Sequence, residues 1–60
     1  VSTDSAPEAV WQEVEIKLDL AKAYLEMTDR EGARELLKEA IAEGDAAQQQ
    51  RAKTMLDSLA

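Results

Sequence analysis

The side chains with chemical character in this 60-residue sequence are mostly carboxylates: 13 Asp and Glu stand against 7 Lys and Arg, with no cysteine and no histidine. Missing histidine removes the commonest metal ligand and general base, and missing cysteine removes thiolate sites and disulfides. Ser2, Ser5 and Ser58 therefore have no imidazole to activate them. Carboxylate and lysine neighbours do occur one helical turn apart, Glu13 with Lys17 and Asp19 with Lys22. On an exposed helix surface nothing desolvates such pairs enough to tune a pKa for acid–base work. Glu31, Glu35 and Glu39 line up at four-residue spacing, but a calcium site needs loop carbonyls and a turn glycine that a rigid helix lacks. A chain this short has little room for a substrate pocket. The expectation is a non-enzymatic protein with no cofactor and no metal.

Charge narrows the partners. A net charge of −6 repels phosphate backbones and anionic headgroups, so neither nucleic acid nor a membrane surface is an expected partner. No apolar run approaches the roughly 18 residues of a membrane span, and the chain reads as an excised soluble domain. Eleven residues are alanine, and only sixteen carry a bulky Val, Ile, Leu, Met, Trp or Tyr side chain. Each contributes about 1.5–3 kcal/mol if fully buried, whereas ordering the backbone costs roughly 1–2 kcal/mol per residue. Such a core is marginal, which points to reliance on a partner, on a second copy, or on the rest of a longer protein.

The elements that must position these residues are helices, because no alternating β-branched or aromatic run appears. Residues 1–5 read as a linker end, and 6–60 as a single three-helix domain. Ser5 and Glu8 have capping-box spacing with Pro7 in the first turn, so helix 1 is expected over about 6–27. Thr28 and Glu31 repeat the box and open helix 2, expected over 30–43, whose Ala33, Leu36, Leu37, Ala40 and Ile41 share one face. Gly44 is expected to close that helix in a left-handed conformation. Asp45 and Gln48 form a third box that opens helix 3 over 46–59, with Ala52, Met55, Leu56 and Leu59 apolar and the run Gln48 to Lys53 polar on the opposite side. Connections of two or three residues fold helices 1 and 2 into an antiparallel hairpin with helix 3 returning against it.

The hairpin follows the tetratricopeptide pattern in Lys17-x2-Leu20-Ala21-x2-Tyr24 and Ala33-x3-Leu37, with Ala40 following. Lys17 replaces the usual tryptophan and Asp45 the usual proline. Continuing the period places Arg51, Thr54 and Ser58 where bulky apolar groups belong, so helix 3 has the character of a terminal capping helix. The stretch from Trp11 to Asp45 closely resembles the C-terminal domain of the FimV, HubP and TspA family of bacterial polar organisers. The blocks W-Q-E-V, K-L-D-L-A-x-A-Y, G-A-R-E-L-L and A-E-G-D carry that resemblance, with the glutamine-rich start of helix 3. It implies a large inner-membrane parent with a periplasmic peptidoglycan-binding part and an acidic cytoplasmic region ending in this domain. It also implies a docking role at the cell pole, supporting type IV pili, twitching motility or the placement of chemotaxis and flagellar components.

Two surfaces are candidates for docking. Leu20, Ala21, Ala23, Tyr24 and Met27 are expected in the hairpin core, leaving Leu18 and Leu25 about 40–60° outside that arc, with Lys22 between them and Glu15 and Glu26 flanking. Together with Met55 and Leu59 on the inner face of helix 3, they would form an apolar groove with a central cation for an amphipathic helix or an acidic-tipped peptide. The alternative is that helix 3 covers Leu18 and Leu25 as ordinary core. Trp11 either anchors a partner, packs near Ile41 and Gly44, or makes a self-dimer contact; a solvent-exposed ring is not expected. On helix 2, Arg30, Arg34 and Lys38 run beside the acidic ladder and suit i, i+3 pairs such as Glu31–Arg34 and Glu35–Lys38. The expected partner is a cytoplasmic protein or peptide of the polar, pilus or chemotaxis machinery. A structural alternative is self-association that dimerises the parent.

Overall fold

In the computed structural model, residues 2–59 are described, with side chains from Glu8 to Leu59. The chain is all-α: α1 spans Ser2–Glu26, α2 Arg30–Glu43 and α3 Ala46–Leu59. α1 begins ahead of the expected Ala6 and takes in residues expected to be a linker end, while the Ser5–Glu8 capping contact falls outside the described side chains. At about 1.5 Å per residue α1 is roughly 37 Å long and the other two roughly 21 Å. The extra length sets the elongated outline of 41 × 19 × 12 Å.

The turn between α1 and α2 departs from expectation. Asp29, not Thr28, caps α2, its Oδ1 accepting from the Gly32 N–H at 3.0 Å. Thr28 instead closes α1: its N–H donates to the Leu25 carbonyl at 3.0 Å while the Asp29 N–H donates to the Tyr24 carbonyl at 2.8 Å. These are the paired bonds of a Schellman closure, and they hold Thr28 at φ 61°, a left-handed conformation that glycine adopts most cheaply. Capping-box spacing picks out Thr28 with Glu31, but the closure of the preceding helix takes Thr28 out of that role and leaves the cap to Asp29.

At the other joint the expected box forms in both directions. Asp45 Oδ1 accepts from the Gln48 N–H at 2.9 Å, and Gln48 Oε1 accepts from the Asp45 N–H at 3.1 Å. Gly44, however, is extended, with φ −80° and ψ 166°. Glycine is required there by space: a Cβ would lie 2.6 Å from the Ala40 carbonyl oxygen and 2.8 Å from Gln48 Cβ.

α1 and α2 run antiparallel, with Lys17 beside Glu39 and Glu43, while α3 lies along α1 in the parallel sense, Trp11 meeting Gln48 and Glu15 meeting Arg51. The fully buried seam is Val14, Leu18 and Ala21 on α1, Ala33, Leu37 and Ala40 on α2, and Ala52 on α3. Four of those seven are alanines, which let the helix axes approach but contribute little apolar area of their own. Tyr24, Leu25, Leu36, Ile41, Met55, Leu56 and Leu59 pack around the seam, partly buried.

The α1 face is the main correction to the sequence reading. Val14, Leu18, Ala21 and Leu25 face the other helices, whereas Leu20, Ala23 and Met27, expected in the core, are exposed. α1 carries apolar residues on two sides, and α3 settles on the side of Leu18, so that side becomes core.

Candidate protein-interaction site

The site is built where α3 lies along α1. Gln48 begins on the apolar side of α3, one turn before Ala52, and is buried. Besides its capping bonds, its Nε2 donates to the Trp11 carbonyl at 3.0 Å and to Glu15 Oε2 at 2.8 Å. Arg51 Nη1 donates to both oxygens of the same carboxylate, at 3.1 and 2.9 Å. Every polar atom of Gln48 thus has a partner, which makes its burial affordable despite its amide. The Gln48 amide first, and the Arg51 guanidinium second, hold the Glu15 carboxyl below the usual carboxylate range against the opposing effect of desolvation.

Two open grooves flank this polar clamp. One, of about 480 Å³, is lined by Lys22, Leu25, Gln50, Arg51, Thr54 and Met55. It sets two half-buried apolar side chains beside two cations. The other, of about 520 Å³, is lined by Val10, Trp11, Glu43, Gly44, Asp45 and Gln48. Trp11 is 47% exposed, contrary to expectation, although it does reach the Gly44 turn.

The expected site residues therefore separate. Lys22, Leu25 and Met55 meet in one groove, and Trp11 lines the other. Leu18 is fully buried and offers no surface to a partner, whereas Leu25, which the covered alternative also placed in the core, is half-buried and lines a groove. Leu59 is half-buried against the core and lies outside both groove linings. The sequence reading does not bring Glu15, Gln48 and Arg51 together, because the run Gln48 to Lys53 reads as the side of helix 3 opposite its apolar face. The available signal was spacing: Gln48 stands four residues before Ala52, on the same helix face.

On α2, Glu35 and Lys38 pair at 3.7 Å as expected, both exposed, and the Glu31–Arg34 pair does not form among the described residues. Lys17 turns instead to α2, 3.1 Å from Glu39 and 2.7 Å from Glu43. Its hydrogen bonds to Glu43 and then Glu39 raise its pKa above the ordinary lysine value. Among the described residues no group of three or more carboxylates is arranged to hold a metal ion, and no helix is long and apolar enough to cross a membrane.

Fold and site together define an all-α, three-helix unit with two grooves along one helix and more apolar surface than its seam covers. The chain is 52% identical over 48 residues, 80% of its length, to the motility hub protein FimV of Pseudomonas aeruginosa strain PAO1, and equally to that of strain UCBPP-PA14. The matched stretch spans only 5% of the length of each relative. This similarity supports a relationship to FimV-type motility proteins. No family profile and no solved structure matches the chain.

Proposed function

We propose that this segment is a protein-interaction module of tetratricopeptide type that docks a partner in the groove between α1 and α3. The observation that carries this reading is the convergence of Leu25 and Met55 with Lys22 and Arg51 in one open groove. Apolar side chains bordered by cations suit an amphipathic helix or extended peptide with acidic flanks. The full burial of Ala21, Ala33 and Ala40, the small positions of the repeat pattern, supports the hairpin type. Similarity to a motility hub protein supports a role in motility; the proposed setting is the cell pole, on the cytoplasmic side of a longer membrane-anchored protein. There the module would place components of type IV pilus, twitching or chemotaxis machinery.

Affinity capture from cells bearing type IV pili, repeated with Lys22→Glu and Leu25→Glu, tests this groove. Loss of a captured pilus or polar component with either change is expected. Capture unaltered by both removes the groove from consideration.

A second reading is self-association that dimerises the parent, favoured by the half-exposed Trp11 beside exposed Val10. Sedimentation at micromolar concentration separates the two, since a folded monomer there contradicts this second reading.

A further inference from the structure

α1 carries a second apolar stripe that none of the grooves uses. With about 100° of turn per residue, Ile16, Leu20, Ala23 and Met27, the last just past the end of α1, fall within about 60° of one another, nearly opposite the buried Val14, Leu18 and Ala21 and the half-buried Leu25. Ile16 is 57%, Leu20 44% and Met27 61% exposed, and Ala23 is exposed as well. Their spacing of four, three and four residues is that of a helix-packing seam, with Ala23 leaving a gap into which a facing side chain can fit.

The charges around the stripe are of one sign. Glu13 borders one side, and Asp19 and Glu26 border the other, all exposed. Of the two lysines on α1, Lys17 is drawn onto α2 by Glu39 and Glu43, and Lys22 sits in the α1–α3 groove on the far side. Two copies meeting through this stripe would bring carboxylate borders against carboxylate borders, on a chain of net charge −6. We infer that the outer face of α1 is a docking surface for an amphipathic helix whose apolar ridge is bordered by lysine and arginine. The molecule would then offer two faces of opposite preference: a basic-lined groove toward α3 and an acid-bordered stripe on the outside of α1.

A synthetic helix of about four turns, with leucines on one ridge and lysine and arginine beside them, provides the probe. The same helix with glutamates in those borders is the control. Titration of either peptide into the 60-residue chain, followed by amide and methyl NMR, locates binding. The basic-bordered helix is expected to bind in a salt-sensitive manner, shifting signals of Ile16, Leu20, Ala23 and Met27, with the acidic control weaker. Leu20→Glu, at an exposed position and with the fold checked by circular dichroism, should weaken binding at least about tenfold. The double change Asp19→Lys and Glu26→Lys should reverse the preference between the two peptides. Shifts confined to Lys22, Leu25 and Met55, or affinity unchanged by Leu20→Glu, overturn the proposal. So does concentration-dependent dimerisation of the chain that Leu20→Glu abolishes, because a second copy would then be the occupant.

Discussion

The two sides of α1 carry nearly the same chemistry and meet opposite fates. Val14, Leu18, Ala21 and Leu25 on one side, and Ile16, Leu20, Ala23 and Met27 on the other, each offer three bulky residues and one alanine at helix-packing spacing. In the first set Val14, Leu18 and Ala21 are fully buried and Leu25 partly so, while the second set faces water. Helical periodicity identifies a stripe that can be buried, but the elements that arrive to bury it decide which stripe becomes core. In a chain of three helices, two stripes on one helix exceed what two short neighbours can cover.

The strongest way to sharpen this contrast is to truncate a leucine on each side. Leu18→Ala should cost about 3 kcal/mol, since it opens a cavity in a fully buried site. That is from about a third to all of the stability expected of so short a chain, about 3–9 kcal/mol at typical values per residue. Leu20→Ala should lie within about 0.5 kcal/mol of the parent. Urea titrations of the two variants make the comparison, and equal losses would break it.

The clamp that seats α3 on the Leu18 side comes next. Gln48→Ala strips the Trp11 carbonyl, the Glu15 carboxylate and the Asp45 N–H of one partner each, and should destabilise by about 2 kcal/mol in the same titration. Thr28→Gly should act in the opposite direction. Relief of a β-branched residue from left-handed backbone, reduced by the greater chain entropy of glycine, should raise stability by about 1 kcal/mol, visible as a higher melting temperature.

The smallest effect is a pH dependence specific to the covered side. The folded pKa of Glu15 lies below its ordinary value, so its stabilising contribution is fully present above about pH 4.3 and is lost as pH falls through the folded value. Lys17 has the reverse sign: its raised pKa makes its contribution complete below about pH 10.4 and lost as pH rises through the folded value. Glu15→Gln should flatten the acid limb of a stability–pH curve relative to the parent chain and leave the alkaline limb in place.

Much of the scaffold was legible in the sequence. α2 occupies 30–43 and α3 46–59 because an aspartate cap precedes each helix, and the apolar face of α2 could be read from Ala33, Leu37 and Ala40. Thr28, whose spacing to Glu31 reads as a cap for α2, is instead taken up by the closure of α1, and Asp29 caps α2. Gly44 is needed for a close approach to Gln48, which no local pattern reveals. The candidate groove was half legible: Lys22, Leu25 and Met55 do converge, while the Glu15–Gln48–Arg51 clamp joins residues 33 to 36 positions apart. Polar residues in such a clamp carry no hydrophobic signal, so they read as solvated surface until their partners are placed.

The most direct measurement of the two-sided helix is methyl NMR of the 60-residue chain at a concentration where it is monomeric, with a soluble gadolinium chelate added to the water. The methyl signals of Ile16, Leu20 and Met27 should broaden strongly, while those of Val14 and Leu18 stay sharp. Equal protection on both sides, or protection of Ile16, Leu20 and Met27 with exposure of Leu18, would contradict the account.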